Sequence, residues 1–292
     1  MQISFLIVTK NRPTDLAITL NKLKRMVNLE HHEVGVFIDG CLDTEQIITD
    51  FPWVNWTVSK ESVSASPARA QLYKKAKGQI LIGLDDDAHP LTHNFITTIE
   101  NEFKTDASIG ILAFQEVRGL FNSDTEALSN LKNTKPYFTS DFVGCGFAIS
   151  KTAYNAIVGF PTFIDIYGEE PCVALQVLDT GFNIKYVPGI AVNHRVDVEK
   201  RKQLGRNYFR FKKQLKNSFR MFLVYYPKPL KPISKLLFHN FKKYALKDLQ
   251  YFKDFVNVCF SELKHLPITI KNRKPIKKAT LIKMRQLKGL KY

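Results

Sequence analysis

Cysteine is scarce and widely spaced in this chain. Cys41, Cys145, Cys172 and Cys259 form no Cys-x-x-Cys pair and have no histidine cluster beside them. That excludes the ligand spacing of a zinc module and the framework of a disulfide-stapled domain, and it predicts a reducing, cytoplasmic setting. Long apolar runs are missing too. The longest stretch without Asp, Glu, Lys or Arg is the 13 residues Thr152–Ile164, whereas a membrane span needs about 20 mostly apolar residues. Residues 1–9 lack a basic start and are cut off by Lys10-Asn11-Arg12-Pro13, so no secretory signal is expected. No glycine-rich phosphate loop with a basic residue stands near the start, which weighs against a nucleotidyltransferase.

Acidic residues are lacking in one region only. Residues 200–292 hold 26 Lys and Arg against 3 Asp and Glu, a net of +23. Residues 1–199 hold 17 against 24, a net of −7, and the whole chain carries +16. The split predicts a site-bearing domain over 1–199 followed by a basic, mainly helical region over 200–292. In that region Tyr208, Phe209, Phe211, Leu215, Phe219, Phe222 and Leu223 interleave with Lys and Arg at near-helical spacing. Pro227, Pro229 and Pro232 break the run before a second helical stretch over Leu236–Phe260. Interleaved aromatics and cations suit nucleic acid, an anionic membrane surface or a packed helical flank. Nucleic-acid binding predicts a positive face on the first 199 residues, which are net negative. Peripheral attachment to the inner face of the cell membrane is therefore the expectation, with part of the region docked on the domain.

What is present reads as an α/β domain with a largely parallel central sheet. Ile3–Val8 and Ile80–Leu84 are apolar runs that suit strands buried on both faces, and Val34–Ile38 is another. Leu16, Leu20, Leu23 and Val27 mark one helix face, with Thr14 as the expected N-cap. Ser66-Pro67 is expected to open a helix that Gly78 closes. A helix over about 92–104, a strand at Ile109–Phe114 and a loop with a short helix over 117–140 follow. Phe142–Ser150 is read as a strand, a helix runs to about Asp179, and Ile184–Val187 and Ile190–Val192 as final short strands.

Ligands of open α/β sheets bind outside the carboxyl ends of the strands. Thr9 to Arg12, Asp39, Asp85-Asp86-Asp87 and His194 all fall just after expected strands. Three adjacent carboxylates repel one another unless a cation or several donors offset the charge. Alternate members of an extended triplet point to one side, and hard oxygen ligands suit Mg²⁺ or Mn²⁺ beside phosphates. A solvated acidic turn or a helix cap is the plainer reading of the triplet. Glu169-Glu170 precede a helix, where they serve either as caps or as a proton acceptor. His194 suits a metal ligand or a core histidine.

Three strings carry a family resemblance. Ile3-Ser4-Phe5-Leu6-Ile7-Val8-Thr9-Lys10-Asn11-Arg12-Pro13 resembles the opening strand and Thr-x-Asn-Arg turn of the family 2 inverting glycosyltransferases. Lys77 to Pro90 is similar to that family's strand and DxD motif. Gly168-Glu169-Glu170, the helix and strand that follow, and Val192-Asn193-His194 resemble its Glu-Asp motif and terminal histidine. The match runs in order over about residues 3–195. It implies a GT-A fold, with a mostly parallel sheet flanked by helices, and a UDP-, GDP- or dTDP-sugar donor. Thr9, Asn11, Arg12 and Asp39 would surround base and ribose, with Arg69 reaching the nucleotide. Asp85 would lie near the ribose, Asp87 and His194 on a Mn²⁺ or Mg²⁺ ion, and Asp86 would share either role. Gly144-Cys145-Gly146 would be the loop beneath the acceptor, a glycan or lipid-linked hydroxyl. The family's base falls on Glu170, where Glu replaces Asp, and Glu169 is its rival. This departure leaves open a catalytically degenerate member that binds without turnover.

Overall fold

In the computed structural model, which describes residues 2–132 and 134–290, the chain opens with alternating strands and helices. These are β1 (Ile3–Thr9), α1 (Pro13–Lys24), β2 (His32–Asp39), α2 (Leu42–Glu45), β3 (Asn55–Ser59), α3 (Ala65–Lys75) and β4 (Ile80–Asp85). There follow β5 (Ala88–Pro90), α4 (Phe95–Thr105), β6 (Ile109–Arg118), α5 (Asp124–Leu128), β7 (Tyr137–Thr139), β8 (Gly146–Ser150) and α6 (Lys151–Asn155). The helix α7 (Glu169–Asp179) and the strand β9 (Asn183–His194) complete the sheet-bearing part. Beyond it lie α8 (Val198–Gln203), α9 (Tyr208–Tyr225), α10 (Leu230–Lys243), α11 (Leu249–Lys271) and α12 (Lys278–Gln286).

The strands form one sheet in the order β3-β2-β1-β4-β8-β6-β9-β5, with β7 added on β9. Its first half, β3-β2-β1-β4, is parallel. Beyond it the sheet is mixed: β8 runs antiparallel to both β4 and β6, and β9 is parallel to β6. The double reversal at β8 brings β9 back into the direction of β1, β2 and β4. Their carboxyl ends therefore share one edge, and that edge bears the polar groups.

Side-chain alternation along the strands builds the two faces. Ile3, Phe5 and Ile7 of β1 pack with Leu16, Leu20 and Leu23 of α1 and with Phe95 and Ile99 of α4. Leu6, on the other face, joins Leu72 and Tyr73 of α3 and Val173 and Val177 of α7. Gly83 is required in the middle of β4, because a Cβ there would meet Tyr73 Oη at 2.2 Å and the Phe147 ring at 2.4 Å.

Local expectations are corrected at several points. α1 starts at Pro13, so Thr14 lies inside the first turn instead of capping it; proline needs no N–H partner at that position. α3 starts at Ala65, and the Ser66 hydroxyl donates to the Pro161 carbonyl instead of capping the helix. The two short C-terminal strands are one strand, β9, with a register shift against β6 between Phe114 and Gln115 that absorbs Pro188, Gly189 and Ile190. The stretch over Leu236–Phe260, for which the sequence left an interruption open, is divided between α10 and α11, and Asp248 caps the second by accepting from the Tyr251 N–H.

The basic helices pack on one another and on α7. Phe211 and Leu215 of α9 meet Tyr251 and Val258 of α11. Val224, Tyr225 and Ile276 close over Ile164, Cys172 and Leu175. Arg220 binds the buried Glu262 with two nitrogens, 2.7 and 2.8 Å away, and donates to the Phe163 carbonyl. No helix among the described residues is long and apolar enough to cross a membrane.

Candidate active site

β4 delivers Asp85 at its last position, and the chain then turns through Asp86 and Asp87 into β5, which pairs back against β9. That pairing sets Ala88 opposite His194. Asp85, Asp87 and His194 each bring a ligand atom within 4.8 Å of the others. Asp86 turns the other way: Thr9 Oγ1 donates to it at 2.8 Å and Arg12 Nη1 at 2.8 Å. Arg12 also reaches Asp87 with Nη2, at 2.7 Å. One guanidinium thus spans two neighbouring carboxylates, the offset that such a triplet demands.

Asp87 is buried, 1% exposed. Its Oδ1 takes no hydrogen bond, although His194 Nε2 stands 3.3 Å away. On its other side His194 Nδ1 lies 2.5 Å from Glu116 Oε1. Burial opposes charge on all three groups, yet their mutual contacts prevail: Asp87 and Glu116 fall below the usual carboxylate range and His194 rises above the usual imidazole range. Asp86 differs. Burial pushes it up to about 7 against the pull of Arg12.

Arg69, on α3, organises the second half of the site. It is 8% exposed, and its Nη2 donates to Asp85 Oδ1 at 2.7 Å and to the Gly144 carbonyl at 3.3 Å. Its Nη1 donates to Glu170 Oε1 at 3.2 Å and stands 3.6 Å from Glu169 Oε1. The resemblance had Arg69 reaching a nucleotide; here it faces carboxylates from β4 and α7. Burial, and then the charge of Glu170, raise Glu169 to about 8. Its Oε2 is buried without a hydrogen bond, while the Glu170 side chain remains 20% exposed.

The other expected residues are placed around this pair of clusters. Asp39 accepts from the Ser62 hydroxyl and from the Val63 and Ser64 N–H groups at 2.6–3.1 Å, so its carboxylate holds the loop before α3. Asn11 takes a left-handed backbone, φ 55°, and its N–H donates to Cys41 Sγ. Cys145 is buried within ligand-atom reach of Glu116 and His194, and burial pushes its thiol up to about 12. Gly144 backs onto Glu170 and Arg69, and Gly146 onto Val192 and Phe114.

Two residues escaped the sequence reading. Glu116 sits beyond the apolar run that ends at Phe114, yet it is part of β6 and contacts His194. Arg195 follows His194 and donates to His89 Nδ1, the Asp15 carbonyl and Thr19 Oγ1, tying β9 to α1 behind the triplet. Polarity directly after a strand was the available signal for Arg195. For Glu116 there was none, since its partner lies 78 residues away.

The chain is similar to three solved glycosyltransferase structures. Against GalNAc-T7 with UDP, GalNAc and Mn²⁺ the TM-score is 0.63 at 19% identity, over 87% of this chain and 53% of that one. Against the mannosyltransferase PcManGT of Pyrobaculum calidifontis in complex with GDP-Man and Mn²⁺ it is 0.57 at 14%, over 97% and 83%. Against S. aureus TarS 1-349 it is 0.59 at 16%, over 88% and 79%. The chain thus spans about half the length of the GalNAc-T7 chain. At these identities the likeness speaks to the fold, which is of the GT-A type. No curated protein sequence matches the chain. Residues 4–158, more than half of the chain, match Glycosyl transferase family 2, and the chain belongs to that family of glycosyltransferases.

Proposed function

We propose that the protein transfers a sugar from a nucleoside diphosphate donor to an acceptor hydroxyl with inversion, assisted by Mn²⁺ or Mg²⁺. One observation carries the reading: Asp85, Asp87 and His194 converge at the sheet's carboxyl edge, and Asp87 keeps a buried oxygen without a hydrogen bond. Two carboxylates and an imidazole fit such an ion, which takes about six ligands and would leave the remaining positions to substrate phosphates and water. When bound, the cation supplies charge that offsets the negative charge growing on the leaving diphosphate.

In this reading Thr9, Asn11, Arg12 and Asp39 shape the place of base and ribose, with Asp85 and Asp86 beside the ribose. Arg69 acts less as a nucleotide contact than as the strut between Asp85 and the Glu pair. Glu170 is the base. Burial raises Glu169 and favours its protonated form, and the Glu170 side chain is the more exposed of the pair. Glu170 takes the acceptor's proton as the oxygen attacks opposite the diphosphate. Gly144, Cys145 and Gly146 floor the acceptor side. Residues 1–199 form the catalytic domain, and 200–292 attach it peripherally to the inner face of the cell membrane. There it would meet a glycan or lipid-linked acceptor of cell-surface polysaccharide synthesis.

The test is a panel of UDP-, GDP- and dTDP-sugars, with binding and hydrolysis measured with and without Mn²⁺ or Mg²⁺. Wild type should bind one donor in a metal-dependent way, and Asp87→Ala should lose that dependence. Glu170→Gln should keep binding while turnover falls about 100-fold or more. The proposal fails if no nucleotide sugar binds or if Asp87→Ala matches wild type. Binding without turnover on any acceptor would favour the degenerate member.

A further inference from the structure

Away from the sheet edge, α10, α12 and the turn after α9 enclose a pocket of about 450 Å³. Lys228, Lys231, Lys235, Lys278 and Arg285 line it, and its carbon surface comes from Tyr226, Pro232 and Leu281. It contains no acid, and none stands in the segments that build it: residues 221–247 and 263–290 hold no Asp or Glu. Among the described residues, the ammonium groups of Lys228, Lys231, Lys235 and Lys278 make no hydrogen bond or ion pair. A cluster of unpaired cations repels itself, so an anion is the complement that this pocket lacks.

The surroundings narrow the anion's chemistry. On α10 the spacing Lys231, Lys235, Phe238, Lys242 puts cations and an aromatic on one face, and Phe238 is 68% exposed. On α12 Lys278, Ile282 and Arg285 repeat the arrangement, with Ile282 56% exposed. Leu230, at the start of α10, is 78% exposed. A nucleic acid offers phosphates, and base faces on which an aromatic can stack, but no apolar layer for Leu230 and Ile282 to enter. A bilayer offers both at the right depths, phosphates for the cations and acyl chains below them.

We propose that this pocket binds the phosphate headgroup of an anionic membrane lipid, with Phe238 and Ile282 entering the acyl layer beside it. The proposal rests on the membrane attachment proposed above and gives that attachment a defined site. α12 is fixed to the protein by Asp179, which accepts from the Lys277 N–H and the Thr280 hydroxyl. Asp179 ends the helix that begins with Glu169, about 15 Å along the axis. A held headgroup would therefore sit on the far side of α7 from the base.

The test uses the full chain and dihexanoyl phosphatidic acid below its micelle concentration, titrated by calorimetry. Dihexanoyl phosphatidylcholine and inorganic phosphate serve as comparison ligands. One-to-one saturation by the phosphatidic acid alone is expected. Each cation near an anionic lipid surface contributes about fivefold in affinity. Lys231→Gln/Lys235→Gln should therefore weaken binding by about 25-fold at unchanged melting temperature. Lys247→Gln/Lys271→Gln, outside the pocket, should not weaken it. Equal loss in both pairs, or equal affinity for inorganic phosphate, overturns the headgroup site. So does a single-stranded oligonucleotide that saturates the pocket where lipid does not. Vesicles of phosphatidylglycerol separate the two levels. If they pellet the protein while the soluble lipid fails to saturate, the pocket proposal falls and membrane attachment stands; if they do not pellet it, both fall.

Discussion

Gly144 bears directly on the position of Glu170. A Cβ there would stand 2.1 Å from Glu170 Oε1 and 3.0 Å from Arg69 Nη1. Both atoms end flexible side chains, so Gly144→Ala should fold with little change in melting temperature while the carboxylate is pushed aside. A misplacement of about 1 Å at a reacting group costs about 100-fold in rate, and kcat should fall by that order while donor affinity holds. Glu169 makes a separate prediction. Its folded-state value, about 8, lies above the ordinary 4.5. The folded protein therefore holds a proton that the unfolded chain has released between those values. Stability present below 4.5 is lost as pH rises toward 8, at up to ~1.4 kcal/mol per unit. Glu169→Gln should flatten that slope and raise the melting temperature at pH about 8 relative to wild type; equal slopes in thermal melts across this window would refute the assignment. A cluster like this is legible in sequence only where its members are neighbours. Asp85-Asp86-Asp87 announce themselves and the family resemblance supplied Arg69, whereas Glu116 and Arg195 act through partners that folding brings together.

The segment that leads into α7 is held by α9, which links the basic helices to the proposed base. Asn217 Nδ2 lies within hydrogen-bond distance of Asp165 Oδ1 and of the Ile166 and Tyr167 carbonyls, all at 2.7–3.0 Å. Lys213 and Lys216 bind the same Asp165 carboxylate. The chain there passes through positive φ at Tyr167 and Gly168, 67° and 121°, immediately before Glu169. Asn217→Ala leaves the half-buried Ile166 and Tyr167 carbonyls without this donor, a loss of about 1 kcal/mol. It should lower the melting temperature by several degrees and also reduce kcat, because the strained turn that aims Glu170 loses its brace. A lower melting temperature with unchanged kcat would confine Asn217 to stability. At this scale the buried parallel strands and the main helices were readable from apolar runs and 3.6-residue spacing. The reversal at β8 was not, since an apolar strand of five residues has the same composition in either direction. β5 and β7 were too short, at three residues each, to show a period.

The division of charge is a property of the whole chain, and its test must keep the chain whole. Val224, Tyr225 and Ile276 cover Ile164, Cys172 and Leu175, so cutting at residue 199 would uncover part of the core. With the full chain, anionic vesicles should pellet the protein at about 0.05 M salt and release most of it by about 1 M, where the screening length has shrunk to about 3 Å. Salt-independent pelleting would point to insertion of apolar side chains without electrostatic capture. The split was plain in the sequence, where 24 of the 27 acidic residues precede position 200. What it does before contact is a further matter. Net charges of −7 and +23 on the two parts of one chain make an electric dipole. In the field beside a negative surface that dipole feels a torque, and the molecule turns its helical end inward while still in solution. Arrival at the surface is then oriented before any contact forms.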